Sequence, residues 1–216
     1  AIKSELASSV PGLPQAEPSL KITYVQPKDF TGLLRYVRNI LVVTIDPTAY
    51  TKVSVGYENN VWARGQVVVS LKAPNTESIV EYSKTHEKAL VNFFVKVEMN
   101  RAIEQLQKEY SMVVMDNLKS DLNVMLNAPA NFTYYKDTTD FFWSSNNANT
   151  GRMDLIVYTF PYTDPNTFTE EYLVAKRDSV LKANLPGSFP GSYMQTETRA
   201  GVEYTPITLN GKYCGV

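Results

Sequence analysis

Hydrophobic and polar positions change period several times along the chain, and each change predicts an element. Leu20, Ile22 and Tyr24 alternate with Lys21 and Thr23, the period of a half-buried strand. Pro27 then sets the first turn of a predicted helix whose apolar positions Phe30, Leu33, Leu34 and Val37 fall on one face. The unbroken run Ile40-Leu41-Val42-Val43-Thr44-Ile45 reads as a strand covered on both faces. Val53, Val55 and Tyr57 alternate again, and after a turn at Asn59-Asn60 a further strand carries Val67, Val69, Leu71 and Ala73. Beyond Pro74 the apolar step lengthens to three or four through Ile79, Tyr82, Leu90, Phe93, Val97, Ile103, Leu106, Tyr110 and Val113. Asn75 or Thr76 is the predicted cap. A single straight helix over 76–120 would measure roughly 67 Å, so a bend or break is expected, placed near Glu98-Met99-Asn100-Arg101.

The first half therefore reads β-α-β-β-α, and Leu122, Val124 and Leu126 supply a candidate closing strand. That order matches the ferredoxin-like, split βαβ pattern, which many unrelated functions share. The second half is aromatic. Phe132 to Tyr135, Phe141 to Trp143 and Leu155 to Tyr162 predict three strands, with a polar Asn-rich loop over 144–151 between the last two. Thr163-Asp164-Pro165 starts a helix that Leu185-Pro186-Gly187 ends, and Ser192–Thr198 with Val202–Leu209 predict a closing hairpin around Ala200-Gly201. The expected fold class is α+β: an α+β subdomain over 1–121, then an antiparallel β-rich subdomain with one helix over 122–216.

Composition narrows the chemistry. The chain has 216 residues, Lys+Arg 21 against Asp+Glu 22, one His and one Cys. That balance offers no basic face for counterion release, so nucleic acid is not an expected partner. One cysteine excludes an internal disulfide framework and thiolate-rich metal sites. One histidine removes most His-based metal sites and, unless His86 serves, any Ser-His or Cys-His nucleophile system. His86 beside Tyr82 and Leu90 reads as a partly buried structural residue, and Cys214 as an inert thiol. No apolar run approaches ~18 residues, and no glycine-rich phosphate loop occurs. No cofactor is expected.

Two residue sets are candidate sites. Tyr134, Tyr135, Trp143, Tyr158 and Tyr162, with Phe141, Phe142 and Phe160, offer a stacking platform for a sugar or peptide, with Asn146 and Asn147 supplying hydrogen bonds. Core packing is the competing account, because alternation sends half of any strand inward. Glu98, Asn100 and Arg101 place a carboxylate and a guanidinium on one helical face, as a polar pocket gripping an anion or as an ordinary ion pair. Acidic pairs such as Asp137 with Asp140, or Glu170 with Glu171, leave a carboxylate-based hydrolase open. Asn131-Phe132-Thr133 fits the N-glycosylation triplet.

Several segments together carry a family resemblance: Val10-Pro11-Gly12-Leu13-Pro14-Gln15, Tyr24-Val25-Gln26-Pro27-Lys28-Asp29-Phe30, Glu98-Met99-Asn100-Arg101 and Asp140-Phe141-Phe142-Trp143-Ser144. Tyr158-Thr159-Phe160-Pro161-Tyr162-Thr163-Asp164 and Lys176-Arg177-Asp178-Ser179-Val180 complete the set. The chain resembles, over almost its whole length, a family of uncharacterised predicted lipoproteins of Bacteroides-type bacteria. The resemblance implies export to the cell envelope and a lipid anchor on an N-terminal cysteine that precedes Ala1. It also implies a longer chain at both ends, Val216 falling inside a strand-like run. Asp137-Thr138-Thr139 and Asp178-Ser179-Val180 look like the O-glycosylation acceptors of such bacteria. The expected function is a non-catalytic, lipid-tethered envelope domain that binds a glycan or an envelope protein. The alternative is a carboxylate-based hydrolase of envelope or dietary polysaccharide, and a purely structural assembly component is the third class.

Overall fold

The computed structural model describes residues 2–11, 13, 15–199, 201–202, 204–209 and 212–215. It divides into two compact units, one built chiefly from residues up to Asn100 and one from Arg101 onward. Each is described by itself. The α+β class is found: helices and separate three-stranded sheets share the chain.

In the first unit the sheet comprises β1 (Asn39–Ile45), β2 (Ser54–Asn59) and β3 (Val67–Ala73). β3 lies in the middle, parallel to β1 and antiparallel to β2. Its residues Val67, Val68, Val69, Leu71 and Ala73 are buried, whereas β1 fades from buried Ile40 to exposed Thr44 and Ile45. The most buried strand is thus β3, not β1, with Lys72 alone exposed along it. β3 is the central strand, paired on both sides, whereas β1 pairs only with β3. α1 (Ile2–Leu6), α2 (Thr76–Thr85) and α3 (Ala89–Lys108) supply the remaining elements, α3 running past Asn100. Leu6, Ile79, Leu90, Val91 and Phe94 complete the core over Val69 and Leu71.

Local chemistry sets these helix ends. Asn75 Oδ1 accepts the Ser78 N–H at 2.8 Å, capping α2 as its sequence predicts. α2 stops at His86, and Lys88 takes φ +60° to turn the chain into α3. The orphan Leu90 N–H at the start of α3 is satisfied from a distance: Glu5 Oε1 accepts it at 3.0 Å, and Glu5 Oε2 accepts the Ser83 hydroxyl at 3.1 Å. α3 runs unbroken through 98–101; the breaks fall at 86–88 and 109–111 instead. The anticipated break at 98–101 lacks any breaker residue, whereas Lys88 is held left-handed.

The predicted strand at Leu20–Tyr24 and helix at 27–37 both give way to irregular chain. Leu20 and Ile22 do pack against the core, but no strand among the described residues pairs with them and Tyr24 is 75 % exposed. The helix is reduced to two 3-10 turns, Pro27–Asp29 and Gly32–Tyr36, because Thr31 is extended and Gly32 takes φ +53°. A buried amide anchors this segment: Gln66 Nε2 donates to the Arg35 carbonyl at 2.7 Å and the Val37 carbonyl at 2.6 Å, while its Oε1 accepts the Trp62 N–H at 3.0 Å.

The second unit begins with α4 (Met112–Leu122), capped by Ser111 and ended at left-handed Asn123. The Ser111 hydroxyl also donates to the Phe132 carbonyl at 2.5 Å. The candidate strand Leu122–Leu126 is irregular; Leu122 and Leu126 pack inward, whereas Val124 and Met125 are exposed. β4 (Tyr134–Thr138), β5 (Phe141–Ser145) and β6 (Asp154–Tyr158) form an antiparallel meander, close to the three aromatic segments expected. Val114, Leu118, Ala128, Phe132 and Phe142 make its core, with Leu155 and Val157 against them. A 3-10 turn at Pro165–Phe168 leads into α5 (Glu170–Asn184).

The closing hairpin lies later than its prediction, as β7 (Pro206–Leu209) with β8 (Lys212–Gly215). Residues 192–198 form only one bridge, Pro186 with Tyr193, and Asp178 holds them to α5 by accepting the Thr196 N–H at 2.8 Å and hydroxyl at 2.7 Å. Ala200, at the predicted turn, lies outside the described residues, as do Gly12 and Pro14. No helix among the described residues is long and apolar enough to cross a membrane.

Candidate functional site

Directly opposed residues of an antiparallel pair share a face, so the register of the second unit's sheet sorts its aromatics. One face carries three rows: Tyr134, Ser145 and Asp154; Lys136, Trp143 and Ile156; Thr138, Phe141 and Tyr158. The other carries Tyr135, Ser144 and Leu155, then Asp137, Phe142 and Val157. The candidate aromatic set is therefore split. Tyr134, Trp143 and Tyr158 share a face, whereas Tyr135 stacks on core Phe142 from the opposite side, at 6.3 Å. Tyr162 lies past the end of β6, exposed, its ring 5.6 Å from Phe168.

Trp143 is the fixed point of its face. Its indole Nε1–H donates to Asp154 Oδ1 at 3.0 Å. Arg152 clasps the same carboxylate, with Nε 3.2 Å from Oδ2 and Nη2 3.1 Å from Oδ1, and its guanidinium lies 5.9 Å from the Trp143 ring centroid. The half-buried indole thus has its one polar atom satisfied and its plane held by a charged neighbour. Tyr134, 55 % exposed, stands diagonally across from it on the same face. What this arrangement can do is present a rigid aromatic edge beside charged and hydroxyl groups.

Asn146 and Asn147 follow β5, but the Asn146 side chain is committed to its own loop. Its Oδ1 accepts the Ala148 and Met153 N–H groups at 3.2 and 3.1 Å, and its Nδ2 donates to the Gly151 carbonyl at 3.3 Å. It shapes the loop that carries Arg152. Asn147 is exposed with φ +47°. Directly across from Trp143 in the same row, Lys136 Nζ donates to the Asn184 carbonyl at the C-terminus of α5, at 2.8 Å. Burial, with help from Asp178 and against Arg177, pushes the Tyr158 hydroxyl above its ordinary pKa.

Glu98, Asn100 and Arg101 all lie on α3. Glu98 is engaged with the start of β1: Oε2 pairs with Arg38 at 3.1 Å and Oε1 accepts from Asn39 Nδ2 at 2.5 Å. Asn100 is exposed and Arg101 half-buried.

Sequence reasoning missed Arg152 and Asp154, the partners that fix Trp143. An Arg-x-Asp pair entering a strand opposite a Trp was the available signal. It also missed Asp121 on α4, whose carboxyl and that of Asp137 on β4 perturb one another. Burial and the Asp121 charge raise the Asp137 pKa, while hydrogen bonds from Ser120 and Asp137 lower that of Asp121, so the pair holds one proton more readily than two separate acids would. Concavities also occur elsewhere among the described residues. One lies under the loop Pro186–Tyr193, where Phe189 stands 77 % exposed. Another, in the first unit, lies between β2 and the helices α2 and α3. No group of three or more His, Cys, Asp or Glu side chains able to hold a metal ion occurs among the described residues.

Residues 1–107 match the family described as Domain of unknown function (DUF8532), and residues 111–216 match Domain of unknown function (DUF4837). Neither a curated protein nor a solved structure matches the chain significantly.

Proposed function

We propose that this chain is a non-catalytic binding module of the cell envelope, exported and tethered by lipid, that takes a glycan or the glycan-bearing surface of an envelope protein on the Trp143 face of its second unit. One observation carries the reading: the half-buried indole of Trp143 is locked by Asp154 and Arg152, with exposed Tyr134 on the same face. A sugar ring has an apolar face edged by hydroxyls. It is suited by an aromatic plane that costs no ordering on binding and has a carboxylate and guanidinium at its rim. The envelope address is supported by the resemblance of the chain's segment set to predicted lipoproteins.

A hydrolytic reading would start from Asp121 and Asp137, since one of them has a raised pKa. Asp121 is exposed and Asp137 only partly buried, so neither sits in the apolar pocket that gives a glycosidase its general acid. Calorimetric titration of soluble envelope glycans into the protein and into Trp143→Ala tests the proposal. Binding that weakens at least tenfold in the variant supports it. Release of reducing sugar, abolished by Asp137→Asn, would overturn it in favour of the enzyme.

A further inference from the structure

The first unit carries a second binding feature, independent of the Trp143 face. β2 ends its sheet: β3 pairs with it on one side, and no strand among the described residues pairs with it on the other. Alternate N–H and C=O groups over Ser54–Asn59 therefore point away from β3 with no ladder partner. All six residues are exposed, and their register with β3 is continuous, without the bulge or proline that commonly blunts an edge. At the centre of the strand sits Gly56, and open space surrounds the position a Cβ would take. A glycine inside an edge strand leaves room for a second backbone to come close.

Beside this edge opens a cavity of about 140 Å³ lined by Val55, Tyr57, Val69, Tyr82, Leu90 and Phe93. Apolar cavities of about 150 Å³ take one benzene ring. The walls are fixed: Tyr57 and Phe93 lie 5.1 Å apart, and His86 stacks on Tyr82 at 4.1 Å. We propose that the β2 edge and this pocket together bind an extended peptide, which pairs with β2 as a fourth strand and seats one aromatic side chain among Tyr57, Tyr82 and Phe93. The pocket alone would suit any single ring. The unpartnered main-chain groups and the bare Gly56 select a peptide, because only a strand can use both.

Two pools of blocked heptapeptides test this, degenerate in Thr, Val and Ser at six positions with Phe or Gly fixed at the centre, read by amide chemical shifts. The Phe pool is expected to shift Val55, Gly56, Tyr57, Leu90 and Phe93. The Gly pool should bind at least tenfold more weakly, as should a Phe pool N-methylated at alternate backbone nitrogens. Ala89→Trp, which fills the pocket from the exposed first residue of α3, should lose Phe-pool binding at an unchanged thermal midpoint. A Phe pool that is silent up to ~1 mM, or that shifts residues elsewhere, overturns the proposal. So does N-methylation without effect, which would leave a ring pocket and no added strand.

Discussion

Replacing Gln66 by Glu should make the stability of the first unit depend on pH in a way the parent's does not. The wild-type amide is 1 % exposed and meets three backbone groups: it donates to the Arg35 and Val37 carbonyls and accepts from Trp62 N–H. In Gln66→Glu the accepting oxygen survives, but the second oxygen now faces two carbonyl oxygens. As a carboxylate it donates to neither; as the acid it donates to one. Each lost hydrogen bond to a buried acceptor costs about 1–1.5 kcal/mol. The protonated variant should therefore be destabilised by about 1–1.5 kcal/mol, and the ionised one by about 3 kcal/mol or more once repulsion is added.

A gap of ~2 kcal/mol between the two forms corresponds to a folded-state pKa raised by about 1.5 units above the ordinary ~4.3 of Glu. A carboxyl with a raised folded pKa favours folding below its unfolded value, and that benefit fades as pH rises through the folded value. The penalty relative to wild type should thus be small below about pH 4 and complete above about pH 7. Urea unfolding at pH 4 and pH 7.5 measures it, followed by Trp62 fluorescence in a Trp143→Phe background. A penalty equal at both pH values would refute the buried-amide account, as would one under ~0.5 kcal/mol.

Other outcomes follow from the same contacts. Glu5→Ala removes the acceptor for Leu90 N–H and should lower stability by about 1 kcal/mol, read by thermal unfolding, with Glu5→Gln recovering part of it. Asp137→Asn removes a carboxyl whose pKa is raised. Its thermal midpoint relative to wild type should be more favourable at pH 7 than at pH 4, and the opposite order would disprove the shared proton. Asn146→Ala strips three hydrogen bonds from the 146–153 loop, so hydrogen exchange at Ala148 and Met153 should quicken while the β4–β5 amides stay protected.

Sequence periodicity proved a good guide to burial and a poorer one to hydrogen-bonded partners. Leu20 and Ile22 alternate because they pack inward, yet nothing in their spacing says whether a strand lies alongside. The helix expected over 27–37 shows the right apolar face, but Gly32 overrides it with a left-handed turn. β1 is the more continuous apolar run, yet β3 is the central strand, because which one is central depends on pairing between distant segments. The aromatic strands of the second half were legible because Phe141-Phe142-Trp143 and Leu155–Tyr158 combine β propensity with turn residues between them.

The site was legible in part. Trp143 and Tyr134 stood out as aromatics, but the split of the set across two faces follows from register, which a one-residue slip would invert. Asp154 and Arg152 gain their meaning only from the β5–β6 pairing that brings them to Trp143. Tyr57, Tyr82 and Phe93 read as ordinary core positions because their pocket exists only where β2 meets α2 and α3.

The central claim, that the Trp143 face binds a glycan or a glycan-bearing envelope surface, is most directly tested by fluorescence quenching. In Trp62→Phe, Trp143 is the only tryptophan. Acrylamide should quench it measurably in the free protein, and one class of envelope glycan should protect it, the protection disappearing in Asp154→Ala. A Trp143 that acrylamide cannot reach, or whose quenching no glycan or envelope extract changes, would make this aromatic set plain core and contradict the account.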